Sequence, residues 1–189
     1  ETEVEDFKNR LEALASIPVV QSFTSGNVEE SKKFVKIFRN MERLKQLTQY
    51  YRSVQKTNLQ RQWSEIVETA ENTNSDRFLR EFYDVLFENY QKQLKWCNNV
   101  FEDSTQPVLT IAELLMTLQP TRESCINAAL KRTTDRLQVL KEVSSANIYF
   151  GQVMQKNLPT NIPVDIKSSL ANSIFSYFST IIGQYAAIE

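Results

Sequence analysis

KKFVKIFRNMERLKQLTQYYRSVQKTNLQRQW, residues 32–63, carries nine Lys or Arg against a single acid, Glu42, and threads Phe34, Phe38, Tyr50, Tyr51 and Trp63 among the charges. As bare composition, basic residues interleaved with aromatics describe a nucleic-acid or anionic-membrane surface. Periodicity separates the two sets. On a helical wheel over residues 28–44, at about 100° per residue, Phe34, Ile37, Phe38, Met41 and Leu44 fall on one side. Lys32, Lys36, Arg39 and Arg43 form a narrow stripe opposite. Lys45 would land on the apolar side of a straight helix, which predicts a bend or break around 40–45. A further helix to about Ala70 then carries the seam Leu47, Tyr50, Tyr51 and Val54, which shifts to Leu59, Trp63, Ile66 and Val67. Lys45, Arg52 and Lys56 oppose the first of these seams. Aromatics and charges therefore do not share a face. A platform for single-stranded nucleic acid needs its aromatics exposed between the cations, so the stretch reads as the apolar seam and wet face of surface helices. The stripe of Lys32, Lys36, Arg39 and Arg43 is the one candidate docking surface.

The rest of the chain repeats the pattern. Apolar residues recur at spacings of three and four with no sustained alternation, and only three glycines and five prolines punctuate them. The fold class is all-α. A first helix, Val4 to Ser16, carries Phe7, Leu11 and Leu14 on one stripe, and Ile17-Pro18 is expected to break it. A short turn of helix through Val20 and Phe23 ends at Gly26, and Asn27 caps the next helix with Glu29 and Glu30 in its first turn. Ser75 or Asp76 caps a long helix to about Phe101 that displays Phe78, Phe82, Val85, Leu86, Leu94, Cys97 and Phe101. Residues 103–107 break the chain before a short apolar helix through Leu115, which stops before Pro120. Thr121 opens a helix running toward Asn157, and residues 157–163 form the last loop. The final helix, with Ile174, Phe175, Phe178, Ile181 and Ile182, is apolar over more than one face, as for a helix covered by a further segment or another chain. The chain is expected to be a single helical-bundle fragment over 1–189, with any internal boundary at 104–107 or 157–163.

Composition narrows the chemistry. The 189 residues carry a net charge of −1 and no histidine. Seven acids against two bases lie in 1–31, and eleven acids against five bases in 64–130, so acid flanks the basic stretch on both sides. Without histidine there are no Ser-His or Cys-His nucleophile pairs, no common catalytic zinc set and no usual general base near neutral pH. Cys97 and Cys125 stand alone and read as free thiols, Cys97 on the apolar stripe of its helix. Trp63 and Trp96 lie at core spacing, and of the Tyr50-Tyr51 pair only Tyr51 is near the centre of its seam. No run of about 18 apolar residues occurs, and the single glycines at 26, 151 and 183 make no phosphate loop. Neither an enzyme nor a cofactor or metal site is expected. The chain starts without Met and ends inside an apolar helix, so it reads as a piece of a longer protein.

Residue-level wording adds a further reading. FKNRLEALASIPVVQSFTSGNVEESKKFVKIFRNMERLKQLTQYY, the separated Trp63, FYDVLFENYQKQLKWCNNVF and SCINAALKR together resemble the family of subunit seven of the conserved oligomeric Golgi complex. The likeness covers residues 7–132 and rests on KNRLEALAS, KFVKIF, the Tyr-Tyr pair and QLKW before an aromatic-ended helix. IFSYFSTIIGQYAAIE is similar only loosely, with Tyr177 where proline would be expected. The resemblance implies an elongated, antiparallel helical bundle of the helical-rod type shared with exocyst and related tethers, without enzymatic activity or cofactor. It implies a vesicle-tethering subunit at the cytoplasmic face of Golgi membranes and in the cytosol, acting in intra-Golgi retrograde transport and so in retention of glycosylation enzymes. The implied partners are sister subunits five, six and eight and, through them, Golgi trafficking machinery. Nucleic acid is not among them, and membrane contact is at most peripheral. The alternative from the residues alone is a basic amphipathic module that binds anionic membrane or polyanion through Lys32, Lys36, Arg39 and Arg43.

Overall fold

The computed structural model describes residues 2–186. Among them the chain forms eight helices and no strand. These are α1 (Thr2–Ser25), α2 (Val28–Asn40), α3 (Leu44–Thr73), α4 (Phe78–Val100), α5 (Gln106–Thr117), α6 (Arg122–Arg132), α7 (Arg136–Asn157) and α8 (Val164–Ala186). The helix ends follow local chemistry. Gly26, at φ 68°, closes α1, with the Asn27 N–H donating to the Ser22 carbonyl and the Gly26 N–H to Phe23. The Asn27 side chain then accepts from the Glu30 N–H to open α2. The break expected at 40–45 is present and has the same geometry, except that a glutamate takes the left-handed position. Glu42 sits at φ 60°, its N–H donating to Arg39 and the Arg43 N–H to Phe38. Pro107 lies in the first turn of α5, where its missing N–H costs no helical bond.

Neither Ser75 nor Asp76 caps α4, whose N-cap position is Arg77 with no side-chain cap hydrogen bond. Three further expectations need correction. Pro18 does not break the first helix, which runs unbroken through it to Ser25. The proline removes one N–H donor toward Leu14, but both halves are held from outside. Val19, Ser22 and Phe23 are buried on one side of it, and Arg43 grips Glu5 and Glu12 on the other. Second, the stripe of the first helix is not core. Val4, Phe7, Leu14 and Ile17 are exposed, and only Leu11 packs against buried residues. Third, the helix from Thr121 toward Asn157 is two helices. Two adjacent β-branched residues, Thr133 and Thr134, favour extended backbone there, and Asp135 caps a new helix by accepting from the Gln138 N–H.

Two apolar clusters share α3 and α4. The smaller gathers Val19, Phe23, Val35, Phe38, Leu47, Tyr51, Cys97 and Phe101 from the first four helices and the turn after α4. Its centre is aromatic: Tyr51 stacks on Trp96 at 5.4 Å between ring centroids, and Phe23 meets both rings edge-on. Trp63, Phe82, Leu86, Ile111, Phe150 and Ile174 belong to the larger, which joins α3 through α8. Trp63 is fully buried, and its indole N–H donates to the Pro120 carbonyl. The chain exposes 10981 Å², against about 9,300 Å² for a compact monomer of this mass. The protruding half of α1 contributes to that excess, and the bundle is elongated.

Candidate functional site

The basic stripe divides at the end of α2. Lys32, Lys36 and Arg39 lie on the outer face of α2 and are exposed. The buried face of the same helix carries Ser31, Val35 and Phe38. Ile37, expected on the apolar side, is 46% exposed, because Val35 rather than Ile37 meets the core. Arg43 does not join the other three. With the helix ended at Asn40 and Glu42 left-handed, Arg43 turns back onto α1. There its Nη1 donates to Glu12 at 2.6 Å and its Nη2 to Glu5 at 2.9 Å. The Arg43 hydrogen bond holds the Glu5 carboxyl below the usual carboxylate range. Lys8 completes this clamp by reaching Glu42 at 3.4 Å.

Three further cations of the stretch are also committed. Arg52 and Lys56 both pair with Glu113 of α5, at 3.1 and 2.9 Å, and Arg61 pairs with Glu65 along α3. Lys32, Lys36 and Arg39 have no carboxylate within 4.0 Å among the described residues, as is also true of Lys33 and Lys45. Together the first three form one wall of a groove. Val35 and Val100 line its base, and Asn98, Asn99 and Glu102 stand opposite at the end of α4. Most of the apolar face of α2 is spent in the core, so apart from Ile37 the helix has little to insert into a bilayer.

One cluster carries no sequence signal. Arg122, 4% exposed, projects from the first turn of α6 into the junction of α4, α5, α7 and α8. It donates to the Tyr83 hydroxyl and to the carbonyls of Leu115, Ser173 and Ile174, and its guanidinium lies 3.9 Å from the centre of the Tyr177 ring. The hydroxyls of Tyr83 and Tyr177 both donate to Asn147 Oδ1. A buried arginine and an exposed one look alike in a one-dimensional pattern, and the seven residues come from five different helices. Their arrangement holds helices together; every guanidinium contact is to a neutral group of the same chain. Among the described residues no group of three or more His, Cys, Asp or Glu could hold a metal ion, and no helix is long and apolar enough to cross a membrane.

The thiols behave as core residues. Burial pushes the Cys97 thiol up to about 12 and the Cys125 thiol up to about 11. Neither is a nucleophile at neutral pH.

Among the described residues, then, the molecule is an elongated all-helical bundle with a charged groove between α2 and the end of α4. Comparison with known proteins is more specific. The family model Golgi complex component 7 (COG7) matches residues 1–189. Conserved oligomeric Golgi complex subunit 7 of Drosophila melanogaster is 44% identical over 197 aligned residues, covering 100% of this chain and 26% of that protein. The subunits of the same name from Homo sapiens and Bos taurus are 34% and 33% identical over 158 residues, covering 82% of this chain and 20% of each of those proteins. The chain belongs to the Golgi complex component 7 family. It spans about a quarter or less of the length of these relatives. No solved structure matches it significantly.

Proposed function

We propose that this chain is a segment of a subunit of the conserved oligomeric Golgi complex. It acts without catalysis, as a stiff helical spacer whose faces and ends contact sister subunits five, six and eight. The work of such a subunit is vesicle tethering in intra-Golgi retrograde transport, at the cytoplasmic face of Golgi membranes. The observation that carries the reading is the family match along the full 189 residues, supported by 44% identity to a relative bearing that subunit's name. The architecture is of the kind the role needs: helices locked by buried aromatics, two clusters sharing through-running helices, and thiols sealed in the core.

Affinity purification of the tagged full-length protein from cells tests it. Subunits five, six and eight are expected to co-purify, and depletion of the protein is expected to leave immature glycans on cell-surface glycoproteins. Recovery of the intact protein without any sister subunit would sink the reading.

A further inference from the structure

We propose that the groove between α2 and the end of α4 receives an acidic helix of another subunit of the same complex, with Lys32, Lys36 and Arg39 pairing with its carboxylates. The inference rests on the reading of this chain as a subunit of that complex, and adds where one contact lies and what chemistry it takes.

Charge supplies the first argument. Cations elsewhere in the same stretch, at Arg43, Arg52, Lys56 and Arg61, have carboxylate partners from this chain. The three on the groove wall have none among the described residues, and neither do Lys33 and Lys45; what sets the three apart is that they line one groove together, with Lys32 and Lys36 four residues apart, where like charges on a helix repel. A local excess of positive charge maintained on a chain of net charge −1 is complementary to an acidic occupant.

Shape and rigidity argue for a helix of a protein rather than a polynucleotide. The wall is straight and fixed, because α2 is capped by Asn27 and anchored through Val35 and Phe38, with the Ser31 hydroxyl donating to Ser22. Lys32 and Arg39 are seven residues apart, about 10.5 Å along the axis. A second helix with acids at successive i, i+4 and i+7 positions repeats that spacing. Across the groove, Asn98 and Asn99 present carboxamides that both donate and accept, suited to polar side chains flanking the acids. Glu102 closes the end of that wall at φ 55°, a negative charge that a helix with spaced acids can face with a neutral residue and that a continuous row of phosphates cannot avoid.

Zero-length carbodiimide coupling of the assembled complex tests the proposal, because it joins a lysine amine only to a carboxylate in direct contact. Expected are links from Lys32 or Lys36 to Asp or Glu residues spaced three or four apart in another subunit. The Arg39→Glu variant retains both amines, so a fall in their coupling reports a loosened helix and not a lost reactive group. That variant is also expected to weaken binding to the linked subunit by roughly fivefold or more, and to flatten its salt dependence. If the complex assembles and couples elsewhere between subunits but not at Lys32 or Lys36, the inference is wrong and the subunit reading stands. Salt-sensitive binding of the full-length protein to phosphatidylcholine vesicles containing phosphatidylserine, lost in Arg39→Glu, would assign the groove to a bilayer and overturn it. Failure of the intact protein to enter any complex would remove the subunit reading, and the inference with it.

Discussion

Asp103 sits between α4 and α5, where one carboxylate organises a helix start. Its Oδ1 accepts from the N–H and hydroxyl of Thr105, and its Oδ2 from the Gln106 amide. Burial pushes this carboxyl up, but the Thr105 and Gln106 hydrogen bonds, with the nearby charge of Arg52, outweigh it and hold the group below the usual aspartate range. A depressed folded pKa gives stability that is complete above the unfolded value of about 3.9 and is lost as pH falls through the lower folded value. Asp103→Asn is therefore expected to cost about 1 kcal/mol at neutral pH, and the gap to the parent chain should close below about pH 4. Urea midpoints of both chains across that range check it; a gap that stays constant or widens in acid refutes the linkage. At this same scale the sequence misleads at Arg43. The wheel places it with Lys32, Lys36 and Arg39 only if the helix continues. Glu42 in the left-handed region ends the turn first, and no residue type there announces it as glycine would.

Element existence was legible because nearly every stretch repeats at three and four residues: α2 through α5 and α8 stand close to where the pattern puts them. Two boundaries were not, for physical reasons of opposite sign. At Pro18 external ion pairs and burial override a local helix breaker, and at 133–135 a local cap divides a pattern whose period carries on. Exposure was also illegible, because a stripe looks the same whether or not anything covers it; Phe7 and Leu14 of α1 are the instance. Between α7 and α8 the packing depends on a glycine that the sequence shows only as a gap. The Phe175 ring lies over Gly151, and a Cβ there would meet its tip at 2.6 Å. Gly151→Ala should thus leave stability unchanged or lower it while Phe175 is present, since the gain in helix propensity is spent in displacing the ring. In a Phe175→Ala background the same change should stabilise by about 0.5–1 kcal/mol, the ordinary advantage of alanine within a helix. A double-mutant cycle by thermal melting reads the difference directly; equal effects in the two backgrounds would show that the ring is not what excludes a side chain.

For the molecule as a whole, the question is whether two clusters mean two folding units. Leu47 and Tyr51 of α3 lie in the smaller cluster, and Leu59, Trp63 and Val67 in the larger; α4 is shared the same way in reverse. Neither cluster can open without fraying a helix that the other needs. Each holds one thiol, Cys97 and Cys125, that burial keeps protonated, so a disulfide reagent at pH 8 reads opening of each cluster separately. Both thiols are expected to become reactive at the same urea midpoint in the 189-residue chain; reaction of Cys97 well before Cys125 would show independent units. The shared pair has a mechanical consequence. Helices α3 and α4, with 30 and 23 residues, run about 45 and 35 Å and act as two rails joining both ends of the body. To bend the body between its clusters, one rail must stretch its ladder of hydrogen bonds while the other is compressed. A load applied at α2 is therefore passed on to α8 with little lost to slack, as it would be through a strut and not through a hinge.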